Sequence, residues 1–177
     1  MQPPRVTATR IVYENRWMRL HEDTTERADG TPGLYAWIEK PPAAVIVPVD
    51  AGFVWLVEQH RHPIGSRFWE LPQGAWEDDP SAAAEDLARG ELAEETGLRA
   101  ATWRKLGVLH PCYGLTMHAM HVFLASDLTM GTARREATEA DMITAPFPVA
   151  AFERMIRDGT IKDALTIAAY GLFKLGA

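Results

Sequence analysis

The chain has a single cysteine, Cys112, among its 177 residues, which excludes an intramolecular disulfide framework and a zinc site built on several thiolates. It has no long hydrophobic run. The longest, Ala43 to Val47, extends through Pro48 only to Val49, far short of the roughly 20 apolar residues that a spanning helix needs. The start, Met1-Gln2-Pro3-Pro4-Arg5, lacks the apolar stretch of a secretory leader, so a reducing cytoplasm is the expected compartment. Basic excess is missing too. Lys and Arg total 18 against 24 Asp and Glu, a formal charge of −6, so the whole-chain footprint of a nucleic-acid binder is absent. What is present is the composition of an ordinary globular domain, with 47% apolar and 24% charged residues, which excludes disordered and low-complexity classes. No internal repeat, linker or second domain stands out.

Residues 11 to 40 read as strand material, with Trp17 to Thr25 and Leu34 to Glu39 joined at Asp29-Gly30, an N-terminal β-hairpin. Pro41-Pro42 ends it. Ala43 to Val49 and Phe53 to Glu58 flank Asp50-Ala51-Gly52 and predict a second hairpin with a three-residue loop, both strands apolar enough to be central. Trp103 to Leu109 and His118 to Ala125 read as further strands. Residues 129–145 form a polar stretch long enough to suggest a functional loop. Ala150 to Arg157 and Lys162 to Lys174 look helical. Strands and helices are mixed rather than strictly alternating, which predicts a mixed sheet with helices on its faces.

Between Asp79-Pro80, a helix-start signal, and Gly97, a C-terminal glycine, the spacing predicts a helix of about four turns. With Glu91 set at zero and about 100° per residue, Glu95 falls near +40° and Glu94 near −60°. Leu87, Leu98 and Ala84 fall on the same side, while Glu85, Asp86 and Arg89 point away. The carboxylates therefore continue the inward-facing stripe. Unpaired charge is costly there and must be neutralised, and an all-oxygen donor set favours Mg²⁺ or Mn²⁺ over Zn²⁺.

Gly74, followed by Glu91-Leu92-Ala93-Glu94-Glu95-Thr96-Gly97-Leu98, resembles the Nudix box, the glycine-to-helix signature of the Nudix hydrolases. The resemblance implies an α/β fold, a Nudix-like α/β/α sandwich with a mixed central sheet and the N-terminal β-hairpin. It makes residues 1–40 a segment for dimer or substrate contact and 41–177 the catalytic part of one domain. Two departures stand out. Gly90 replaces the usual arginine before the first glutamate, and the stretch from Gly74 to Glu91 is two residues longer than the common spacing. A mid-helix glycine costs about 1 kcal/mol against alanine, so Gly90 is expected to pack closely against another segment.

By the same resemblance Glu91 and Glu95 are metal ligands, Glu94 is a further or water-mediated ligand with a catalytic part, and the Gln73 carbonyl is a backbone ligand. Val57-Glu58-Gln59-His60-Arg61-His62-Pro63 and Trp69-Glu70-Leu71-Pro72-Gln73-Gly74 are similar to the corresponding runs of ADP-ribose and nucleoside-diphosphate-sugar pyrophosphatases, as is the tail Gly159 to Thr166. That similarity implies that Arg61 contacts the substrate pyrophosphate and that Glu70 sits beside the metal site. It also implies a homodimer. Where that branch often carries Ser-Pro-Gly and an acidic residue, His110 to Thr116 is followed by Met117 and His118. Trp17, Tyr13 and Trp76 are candidate platforms for a base.

The implied reaction is metal-assisted attack of water on one phosphorus of ADP-ribose or a nucleoside diphosphate sugar, giving a nucleoside monophosphate and a sugar phosphate. Glu136, Glu139 and Asp141 are candidates for the base, of which Glu139 is chosen. Two alternatives stand beside this: a dinucleoside-polyphosphate or RNA 5′-pyrophosphate hydrolase, suggested by Pro72-Gln73-Gly74, and a nucleotide-sensing module without turnover.

Overall fold

The structure, a computed structural model, describes residues 2–76, 79, 81–135 and 139–176. Strands β1 (Arg5–Asn15), β2 (Met18–Glu26) and β3 (Pro32–Glu39) form an antiparallel meander. The expected hairpin is β2 and β3, and the turn between them uses Gly30 at φ +80°. Strand β1 begins well before residue 11. All its described side chains are exposed, so no buried face imposes the alternation by which a strand is read.

Strand β4 (Ala43–Asp50) is central, and its residues 43 to 48 are buried. That two-sided burial explains its unbroken apolar run. Strand β5 (Phe53–Arg61) follows a loop of two residues rather than three, because Asp50 still pairs with Phe53. Ala51 and Gly52 take φ of +48° and +82°, the left-handed pair that matches the twist of a tight hairpin. A 3-10 turn (His62–Ile64), β6 (Ser66–Glu70) and the short β7 (Gln73–Gly74) lead towards helix α1 (Ala84–Thr96).

Helix α1 starts later than Asp79-Pro80 predicts. The Asp79 carbonyl accepts from the Ala82 amide at 3.2 Å and its carboxylate accepts from the Ser81 hydroxyl at 2.9 Å, so Asp79 holds a separate turn. Pro80 lies outside the described residues. The N-cap of the helix is Ala83, without a side-chain cap.

Strands β8 (Leu98–Leu109) and β10 (Met120–Met130) pair antiparallel, and β10 pairs parallel with β4. Between them β9 (Thr116–Met117) adds to β3. The stretch 129–145 is shorter as a loop than expected, because β10 takes its first residues and β11 (Ile143–Pro148) its last. Pro146 and Pro148 hide β11 from a sequence reading, yet it lies at the sheet edge beside β5, where a missing amide is tolerated. Helices α2 (Val149–Arg157) and α3 (Ala164–Leu175) complete the chain, the latter capped by Asp163, which accepts from the Thr166 amide at 2.8 Å.

The main sheet runs β11-β5-β4-β10-β8. Ala44 and Ile46 face the apolar side of α1, with Leu87, Ala88 and Leu92. Ala43, Val45 and Val47 face α2 and α3, with Phe152, Ala169 and Tyr170. The result is the expected α/β/α sandwich. Among the described residues no helix is long and apolar enough to cross a membrane.

Candidate active site

The inward stripe of α1 is where helical spacing puts it. Glu91 and Glu95 are 7% and 1% exposed, Glu94 is half-buried, and Glu85, Asp86 and Arg89 face solvent. Arg89 pairs with Glu85 at 2.7 Å and lies over the Trp103 ring, so it does not replace the arginine missing at position 90.

Gly74 explains itself sterically. A Cβ there would collide with the Glu91 carboxylate as it stands, so glycine lets β7 approach the helix without displacing that side chain. One residue earlier, the Gln73 amide donates to Glu95 Oε2 at 3.1 Å. Glu95 Oε1, also buried, has no hydrogen-bond partner. Burial first, and then the charges of Glu91, Glu139 and Glu70, push the Glu95 carboxyl well above its ordinary pKa. Buried carboxylates facing one another, one with an orphaned oxygen, fit a divalent cation. Among the described residues no three His, Cys, Asp or Glu side chains form a ready-made coordination shell.

The C-terminal end of α1 is held from the stretch after β10. Gly97 caps it at φ +76°, and a Cβ there would meet the backbone of residues 131 to 133. The Arg134 amide donates to the Glu94 carbonyl at 2.9 Å. Arg135 Nε donates to the Glu95 carbonyl and its Nη2 to Thr144 Oγ1, each at 2.8 Å. A guanidinium at this end also offsets the partial negative charge of the helix terminus.

A cleft of about 460 Å³ opens over these groups. Gln73, Gly74 and the three acids Glu91, Glu94 and Glu139 line it, as do Trp17, Lys40, Arg61 and His118. Of the three candidate bases, Glu139 lies in the cleft. Asp141 instead pairs with Arg67, and Glu136 lies outside the described residues. Trp17, 52% exposed, reaches the cleft from the turn between β1 and β2, but Tyr13 does not line it. Glu70 sits beneath the surface at 2% exposure. It accepts from Gln59 Nε2 at 2.7 Å and from Arg61 Nε at 3.1 Å and Nη2 at 2.5 Å. Burial raises its pKa, and the Arg61 charge opposes that rise.

Lys40 and His118 were not singled out as site residues by sequence reasoning. Lys40 is a lone cation before two prolines and carries no pattern. Its charge, after burial, lowers the pKa of His118. Cys112 is exposed and unpaired.

The family model for the NUDIX domain matches residues 39–164, and the model for the nucleoside diphosphate sugar hydrolase N-terminal domain matches residues 5–38. The chain belongs to the Nudix family. It is 35% identical to an ADP-ribose pyrophosphatase of Mycobacterium tuberculosis over 126 residues, which are 71% of this chain and 60% of that protein. It is 26% identical to the Bacillus subtilis ADP-ribose pyrophosphatase over 88% of this chain and 78% of that one. A CMP-5'-(N-acetyl-N-hydroxy-3-aminopropyl)phosphonate hydrolase of Streptomyces rubellomurinus is 29% identical over 94% of this chain and 81% of its own length. The crystal structure of an ADP compounds hydrolase superposes with a TM-score of 0.86 at 20% identity, covering 98% of this chain and 94% of that one, and so shares the fold.

Proposed function

We propose that the chain is a metal-dependent pyrophosphohydrolase of ADP-ribose or a nucleoside diphosphate sugar, releasing a nucleoside monophosphate and a sugar phosphate. One observation carries this reading: Glu91, Glu94, Glu139 and Arg61 line one cleft, with the orphaned oxygen of Glu95 buried among the same carboxylates. Two of the relatives named above are ADP-ribose pyrophosphatases and the third is a hydrolase of a CMP-linked phosphonate.

Glu91, Glu95, Glu94 and the Gln73 carbonyl would hold a divalent ion, and their all-oxygen character suits Mg²⁺, with Mn²⁺ next. When bound, such an ion neutralises charge growing on the phosphate oxygens and lowers the pKa of water. Arg61 binds the pyrophosphate with the N–H groups that Glu70 leaves free, since a guanidinium carries five. Glu139 accepts a proton from the attacking water. Trp17 offers its ring to the base.

The meander is part of this machine rather than a separate body: residues 1–40 serve dimer and substrate contact, and 41–177 carry catalysis. Its exposed Ile11, Val12, Tyr13, Leu34 and Tyr35 suit a second copy of the chain, so the enzyme acts as a homodimer. The lone, unpaired Cys112 suits a reducing cytoplasm.

The test is phosphate release, coupled to a phosphatase, from ADP-ribose, nucleoside diphosphate sugars, diadenosine polyphosphates and 5′-triphosphorylated RNA, with and without Mg²⁺. Preference for the sugar-linked diphosphates is the expected result. Preference for the polyphosphates or RNA, or binding without turnover, overturns it.

A further inference from the structure

Gly90, the departure from the box pattern, has a structural counterpart in Trp76. A Cβ built on Gly90 would collide with the six-membered ring of that indole. The indole thus occupies the space that a side chain at position 90 would need. Trp76 comes from the lengthened stretch before α1, so the two departures from the box pattern meet at one contact. Part of the ring packs on the core formed by α1 and β4, with Leu87 and Ala84. The same residue lines the catalytic cleft beside Ala75 and Glu94, and Glu94 lies one helical turn beyond Gly90.

Trp76 and Trp17 both line the cleft. Trp17 borders a recess made by Lys40, Pro41, Pro42 and Met117, and Trp76 borders a smaller recess of about 220 Å³ beside Pro42, Ala84, Leu87 and His121, so the two recesses meet at Pro42. A substrate with a pyrophosphate between two ring systems has one ring for each indole.

We propose that Trp76, seated over Gly90, is a specificity-determining residue that packs its indole against the sugar on the far side of the pyrophosphate from the base. The proposal rests on the site reading above. A sugar presents a C–H face that an indole can cover, while its hydroxyls stay in the wet cleft. Such a contact separates sugar-linked diphosphates from those carrying only a small ester. Gly90 gives the ring its seat, and the buried edge of the ring fixes its orientation at small entropic cost.

The experiment compares equilibrium binding, by calorimetry with Ca²⁺ in place of Mg²⁺, of ADP-ribose and of the P2-methyl ester of ADP. The ester keeps base, ribose and pyrophosphate but lacks the second sugar. Trp76→Ala is expected to reduce the preference for ADP-ribose over the ester by about tenfold, the size of one good ring contact. Trp76→Phe should recover part of it, and Gly90→Ala, which displaces the indole without removing it, should lose it as well. Thermal midpoints identify any variant that fails to fold, and Trp76→Phe then carries the comparison. An unchanged preference in folded variants, or no preference in the parent enzyme, overturns the proposal. Selective binding by a parent enzyme that hydrolyses neither ligand in Mg²⁺ sinks the hydrolase reading instead.

Discussion

The Gln73 amide holds one oxygen of the Glu95 carboxylate at 3.1 Å and leaves the other buried without a hydrogen-bond partner. This half-satisfied carboxylate sits among Glu91, Glu139 and Glu70, whose charges add to the effect of burial. Without a cation the arrangement costs the fold stability.

Glu95→Gln therefore separates stability from function. The folded-state pKa of Glu95 lies above its unfolded value, so its protonated form stabilises the metal-free protein at low pH. That contribution is lost as pH rises through the folded pKa. The glutamine should raise the thermal midpoint of the metal-free protein most at the alkaline end of a pH series and flatten its pH dependence, while metal-dependent turnover disappears. Retained turnover would remove Glu95 from the metal site, and a lower midpoint at every pH would contradict the burial argument.

Arg61 and Glu70 form a forked pair in which the acid is 2% exposed and the base 38% exposed by side chain. Arg61→Ala should cost about 1 to 3 kcal/mol, less than a fully buried pair because the guanidinium reaches water. Arg61→Lys keeps the charge without the fork and should raise KM about 10- to 100-fold with a smaller fall in kcat. Denaturant melts and steady-state kinetics measure the two effects. An unchanged KM would remove Arg61 from the pyrophosphate.

Glu139→Gln should lower kcat by about 10²- to 10⁴-fold, the range for a general base, with KM little altered and the acidic limb of the pH profile lost. Asp141→Asn serves as the contrast. Its side chain holds Arg67 rather than facing the cleft, and its kcat should stay within about threefold, as is usual for exposed substitutions. Equal losses in both variants would reject the assignment.

Gly90→Ala should destabilise the parent chain, since Trp76 fills the site. In a Trp76→Ala background the same change should stabilise by up to about 1 kcal/mol, the ordinary helix preference for alanine. The sign reversal is a double-mutant coupling that denaturant melts can measure. Additive effects would show that the two residues do not compete for space.

The inward-facing acidic stripe of α1 was legible because helical periodicity fixes direction, Gly97 because a helix ends readily on a glycine in the left-handed region, and Gly74 through its place in the box pattern. The seat under Gly90 was legible as an unfilled need, but its occupant was not, since nothing local links position 76 to position 90. Strand β1 escaped because it is exposed on both faces, and β11 because two edge prolines imitate a loop. The start of α1 was misplaced because Asp79 forms its own turn. Arg135 and Thr144 were illegible for another reason: they reach the Glu95 carbonyl from far along the chain, and a hydrogen bond to a carbonyl leaves no trace in the type of the residue that accepts it.

The parallel pairing of β4 with β10 joins Ala43 to Met120 and Val47 to Leu124. It closes a chain loop of roughly 80 residues, a non-local contact of the kind that slows folding. All of α1, together with Gly74 and the two-residue lengthening before the helix, lies inside that loop. The packing of α1 against β4 and β10 is therefore expected to complete together with the closure of this sheet, in the topology-limited phase of refolding. Amide exchange during refolding should find β4 and β10 protected no later than the α1 residues that carry Glu91 and Glu95.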